Sequence, residues 1–145
     1  MTWGNQPNQR AVIGSSKVSA MEDVSSPFFL HNGDHPGLIL VSHNLIGNNY
    51  NTWSRAMAMT LTSKNKIGFI DGTIPRAAQA DILFNAWNRY NNMVTSWIIN
   101  SVSKDIADSL MYIAIVAKIW IDPCDRFWHN NAPRGFQLKK HLIAL

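Results

Sequence analysis

An all-α protein is predicted here, a multi-helix bundle preceded by a disordered tail and a short extended arm or strand. Two observations carry this. Apolar residues recur at steps of three and four over two long stretches, and Gly, Pro and Asn punctuate the chain between them. A third is bulk composition: 145 residues, 46% hydrophobic and 15% charged, is one domain's length with enough apolar surface for a core.

Residues 1–26 are rich in Ser, Asn, Gln and Gly and show neither a period of 2 nor of 3.6, so they read as a disordered tail. Residues 27–47 alternate turn chemistry, in Asn32-Gly33-Asp34 and His35-Pro36-Gly37, with the apolar run Leu38-Ile39-Leu40-Val41. That run is a short strand or an extended arm. After Gly47-Asn48-Asn49, whose Asn side chains can cap free N–H groups, Tyr50, Trp53, Met57 and Leu61 mark the apolar face of a first helix. It ends by Lys66-Ile67-Gly68, and Asp71-Gly72 with Pro75 make a turn.

A second helix is defined by Leu83, Trp87, Tyr90, Val94, Trp97 and Ser101, with Ile98 widening the stripe. Ser103 can cap a short third helix with Asp105 in its first turn and Ile106, Ala107 and Leu110 facing inward. From Met111 to Trp120 the chain is apolar almost all round, a buried helix or the buried junction of two. Pro123 removes a helix donor, so a break is expected near residue 122, with Asp122 and Pro123 starting a new helix. A last helix is expected from Pro133 after an Asn131 cap, carrying Phe136, Leu138, Leu142, Ile143 and Leu145. Its pattern stops in mid-course, so its partner surface is expected beyond Leu145.

The 13 Lys and Arg outnumber the 9 Asp and Glu by the net charge of +4, and the whole excess lies after residue 125. There Arg126, Arg134, Lys139 and Lys140 face no acid in sequence, a placement that suits either a solvated helix face or a contact with RNA through counterion release. The single cysteine, Cys124, can form no internal disulfide, and the first residues have neither a basic cluster nor an apolar run for export. A reducing, intracellular setting is expected. The longest apolar run, Met111 to Ala117, is too short to span a bilayer, which takes about 20 residues.

The search for chemistry finds no phosphate-binding loop, no nucleophile elbow and no His-Glu-x-x-His, and Glu22 is the only glutamate. His31 and His35 are four apart, but the Asn-Gly-Asp between them denies them a helix on which to share a metal. Cys124 and His129 have one knuckle-like gap and no further cysteines to complete it. No catalytic residue, cofactor, metal or small-molecule substrate is expected. Core packing is assigned to Tyr50, Trp53, Met57, Leu83, Trp87, Tyr90, Val94, Trp97 and Trp120, because large aromatics dominate core energetics. Trp128, near Arg126 and Arg134, stays open between core and nucleic-acid stacking.

Two stretches resemble the Gag of copia-type retrotransposons of the kind spread through plant genomes. The first runs in order through Pro27-Phe28-Phe29-Leu30-His31, Asp34-His35-Pro36-Gly37, Leu40-Val41-Ser42, Gly47-Asn48-Asn49-Tyr50, Trp53-Ser54-Arg55, Lys64-Asn65-Lys66 and Gly68-Phe69-Ile70-Asp71-Gly72. The second holds Trp87, Asn92-Met93-Val94, Ser96-Trp97-Ile98, Asn100-Ser101-Val102-Ser103, Ile106-Ala107, Ile119-Trp120, Arg126-Phe127, Asn131-Ala132-Pro133-Arg134 and Phe136-Gln137-Leu138-Lys139. The resemblance divides the chain into a tail (1–26), a Gag N-terminal region of arm plus first helix (27–75) and the start of a helical capsid segment (76–145).

It implies a structural capsid precursor that self-associates into a virus-like shell around the element's RNA. Pro123, Trp128, Gly135 and Ile115-Val116 depart from the family's pattern, which fits a decayed copy. An RNA-binding module and an inert translated remnant are the competing readings.

Overall fold

The structure is a computed structural model that describes residues 20–131, and it is all-α. Five helices follow a helical turn at residues 20–22: α1 Tyr50–Ser63, α2 Gly68–Asp71, α3 Phe84–Ile99, α4 Lys104–Leu110 and α5 Val116–Asn131. Among the described residues there is no sheet, only one isolated parallel bridge between Leu45 and Val102. Helix α5 lies against α1, α2 and α3, so one core is shared by the whole array.

Helix α1 buries Tyr50, Trp53, Met57 and Leu61, one residue per turn on one face. Asn49 precedes it without capping it. Its side chain instead reaches backwards, accepting from Ile46 N–H (2.9 Å) and donating to Asn44 O (2.8 Å), which closes the 44–49 turn and leaves no oxygen for the helix. The chain leaves α1 through Asn65 at a left-handed φ of 58°. Residues 68–71, read from sequence as approach to a turn, form the short α2, which ends at Gly72 with φ 84°. Gly68 packs so closely that an added Cβ would stand 2.7 Å from Ile74 Cδ1, so a larger residue would push α2 off its own exit.

Helix α3 buries Trp87, Tyr90, Val94, Trp97 and Ile98, with Leu83 half-buried just before it and Ser101 buried just after. Helix α4 turns Ile106 and Leu110 inward. Ser103 stands at its N-cap position with an extended backbone but gives it no side-chain cap, and its N–H donates to Leu45 O (2.8 Å).

The stretch from Met111 is where the sequence reading fails first. It is the junction of two helices, but its start is not buried: Met111 is 65% and Tyr112 92% exposed. The second failure is Pro123, which does not interrupt α5. A proline inside a helix costs ~3 kcal/mol or more in isolation. Here it lies on the buried face, in line with Val116, Ile119, Trp120, Cys124, Phe127 and Trp128, all buried or packed against the core at steps of three and four. Burying five large side chains at roughly 1.5–3 kcal/mol each outweighs one missing hydrogen bond. Asn131, expected as a cap, is the last described residue of this same helix. The helix expected from Pro133 lies outside the described residues.

Residues 20–26, assigned to the tail by composition, take part in the fold: Met21 packs on the core, Ser26 is buried and its N–H donates to Asp23 O (2.9 Å). Residues 1–19 lie outside the described part.

Candidate functional site

The segment from residue 25 to 46 is a strap of turns and extended chain laid across the helices, and besides the buried side chains of Val41 and Leu45 its backbone holds it there. Extended backbone that pairs with no strand has carbonyl groups that still need donors. The helical core supplies them from side chains. Lys66 Nζ donates to Pro27 O (2.5 Å) and Phe29 O (2.8 Å), Asn65 Nδ2 to Ser25 O (2.7 Å), Trp97 Nε1 to His35 O (2.7 Å) and Asn100 Nδ2 to Pro36 O (2.9 Å). Thr60 Oγ1 reaches Leu40 O at 3.4 Å. The far end of the strap is fixed by backbone: Leu45 N–H donates to Ser101 O (2.8 Å), which also accepts from Trp53 Nε1 at 2.8 Å.

Lys66 is the central grip. It is wholly buried, with its ammonium 4.3 Å from the centre of the Tyr90 ring. Burial, a deficit that Asp34 only partly offsets, pushes its pKa down to about 8. The same burial raises the Tyr90 hydroxyl above its ordinary value. Beside it Lys64 Nζ pairs with Asp34 Oδ1 at 2.7 Å and stands 5.5 Å from the Trp97 ring centre, with the Asp34 side chain almost completely enclosed. The other oxygen of Asp34 is buried without a hydrogen-bond partner among the described residues. Neither lysine was assigned a role from sequence. Their only signal was membership of the Lys64-Asn65-Lys66 motif.

Asn91 is the second buried polar residue that periodicity does not mark. Its amide closes the entrance of α5 onto α3, donating to Ala114 O (2.9 Å) and accepting from Val116 N–H (2.9 Å). The first turn of α5 thus receives its missing backbone partner from another helix.

The residues assigned to core packing lie as follows. Tyr50, Trp53, Met57, Trp87, Tyr90, Val94 and Trp97 are buried, while Leu83 and Trp120 are half-buried. Trp120 stacks on Trp53 with centroids 5.6 Å apart, and Trp128 packs partly buried against the core. Tyr50 has its hydroxyl raised, chiefly by burial and then by Cys124 beside it.

The proposed nucleic-acid contacts fare differently. Arg126 does face an acid, one turn back: its guanidinium bonds Asp122 Oδ1 (2.7 Å from Nε) and also Ser109 Oγ (2.6 Å). Counting charge only after residue 125 hid a pairing that an i, i+4 helix spacing creates. Arg134, Lys139 and Lys140 lie outside the described residues.

Among the described residues no three His, Cys, Asp or Glu side chains gather as a metal site would require, and no helix is long and apolar enough to cross a membrane. His31 instead meets the ring of Phe29 at 4.8 Å, edge to face.

Residues 31–76, the strap from His31 onward with α1 and α2, match the family model described as Gag-polypeptide of LTR copia-type, so the chain carries a copia-type Gag region. That region type is structural and non-catalytic. No curated protein and no solved structure gives a match to the chain.

Proposed function

We propose that this chain is a structural Gag component of a copia-type element that self-associates into a shell around the element's RNA in the cytoplasm. The observation that carries the reading is the match over residues 31–76, which coincides with the strap, α1 and α2 and is folded into one core with α3 and α5. A component of a shell has to present a fixed surface to its neighbours, and the gripped strap and shared core favour such rigidity. The continuity of α5 through Pro123 removes one reason for treating the chain as a decayed remnant.

Size-exclusion chromatography with light scattering, and negative-stain microscopy at high concentration, test this. Concentration-dependent oligomers or particles are expected. A strictly monomeric species up to the solubility limit would overturn it. The RNA-binding reading has less support, since Arg126 is tied to Asp122 and Ser109.

A further inference from the structure

Beside the strap, a cleft of about 760 Å³ opens between the outer face of α3 and the turn joining α4 to α5. Asn88, Asn92 and Ile99 form one wall, and Met111, Ile113 and Ala114 the other. None of its lining residues is charged. Several of its polar groups are already engaged: Ser96 Oγ donates to Asn92 O (3.0 Å), and Asn100 holds the strap. The exposed amides of Asn88 and Asn92 are left at its wall.

At the edge of this cleft stand Met111 and Tyr112, the latter the most exposed large hydrophobic among the described residues at 92%. They sit on a tight turn closed by Ile113 N–H donating to Leu110 O (3.0 Å), with Leu110 wholly buried beneath. A rigid turn that presents an aromatic ring to water next to an uncharged recess has the two halves of a contact on one patch.

We propose that this patch is a self-recognition surface, in which two copies of the chain meet about a two-fold axis and Tyr112 of each enters the cleft of the other. The proposal rests on the self-association reading above and names its surface. Knob and recess adjoin, since Met111 belongs to both, and a self-complementary patch is what a two-fold interface requires. Charge argues against a polyanion: an uncharged recess offers phosphate no cation and releases no counterions, whereas it matches the uncharged turn of a second copy. The recess is ample for a phenol ring, and the Asn88 and Asn92 amides can meet its hydroxyl. An aromatic side chain buries roughly 150–250 Å². Two tyrosines bury roughly 300–500 Å² and the cleft walls they cover a similar area, so the ring-in-cleft contact stays below the ~1,200 Å² of a stable complex and is weak and concentration-dependent.

Analytical ultracentrifugation of the full chain tests this with two variants on opposite sides of the contact, Tyr112→Ala for the knob and Asn92→Trp for the recess. Both positions are exposed, and far-UV circular dichroism with thermal melting checks that each variant folds. Each is expected to raise the homodimer dissociation constant at least tenfold. A mixture of the two is expected to associate more tightly than either alone, because the heterodimer retains one intact contact, Tyr112 of the Asn92→Trp copy in the cleft of the Tyr112→Ala copy. If the wild-type chain associates and neither variant alters this, the surface is wrong and the self-association reading stands. A wild-type chain that stays monomeric defeats both. Unchanged association with lost binding to a polyuridine probe in Tyr112→Ala would overturn the proposal in favour of a nucleic-acid surface.

Discussion

The strap and the helices solve the same physical problem in opposite ways. Helices α1, α3 and α5 satisfy their own backbones and are joined by side chains, with Trp97, Val94, Met57 and Ile119 fully buried. The strap has no ladder to satisfy it, so core side chains are committed to its carbonyls, while its own Val41 and Leu45 are buried in the shared core. The difference teaches where specificity resides. In the helices it lies in the residues that are buried, and in the strap it lies also in residues 20 to 64 positions away that grip it.

Removing a group that serves both regions should do the most damage. Trp97→Ala deletes a fully buried indole and leaves His35 O without its donor, so a loss of about 3–5 kcal/mol in urea unfolding is expected. A loss below 1 kcal/mol would show that the two regions are not joined there. Asn91→Ala breaks only the joint between α3 and α5, and about 1–3 kcal/mol is expected, with faster hydrogen exchange at the start of α5. Pro123→Leu should act in the other direction by a comparable or smaller amount, because it restores a backbone donor inside α5 and keeps an apolar side chain on the buried face. Arg126→Ala marks the lower end, since a part-exposed ion pair contributes about 0.2–1 kcal/mol, and its melting temperature should barely move.

Lys66 adds a pH dependence that distinguishes the regions further. Its pKa is near 8 in the folded chain and 10.5 as the ordinary value, so between these pH values the unfolded chain binds the extra proton and stability rises with pH. Subtracting the pH profile of Lys66→Met from that of the wild type isolates this rise, on the order of 3 kcal/mol between pH 8 and 10.5. A flat difference would mean that the ammonium is not desolvated.

The contrast also explains what could be read from the sequence. The all-α class and the faces of α1 and α3 were legible because burial at every third or fourth residue leaves a period. Helix α5 carries the same period, from Val116 through Ile119, Pro123 and Phe127, yet the local rule for proline obscured it. Packing against three other helices outweighs that rule, and no local window contains those helices. The grip of Lys66 on Pro27 and Phe29, 39 and 37 positions away, leaves no periodic trace at all. Arg126 was misjudged by looking only forward along the chain, when its partner Asp122 lies one turn behind. The Met111-Tyr112 turn was misread because an apolar run was equated with burial, whereas a run at a helix junction can face outward.

Chymotrypsin cleavage of Lys66→Met at Phe28, Phe29 and Leu30 tests most directly whether a buried ammonium holds the strap to the helices. The account predicts cleavage there at least tenfold faster than in the wild type, while far-UV circular dichroism shows the helices unchanged. An unaltered cleavage rate in a variant that has lost the ammonium would contradict it.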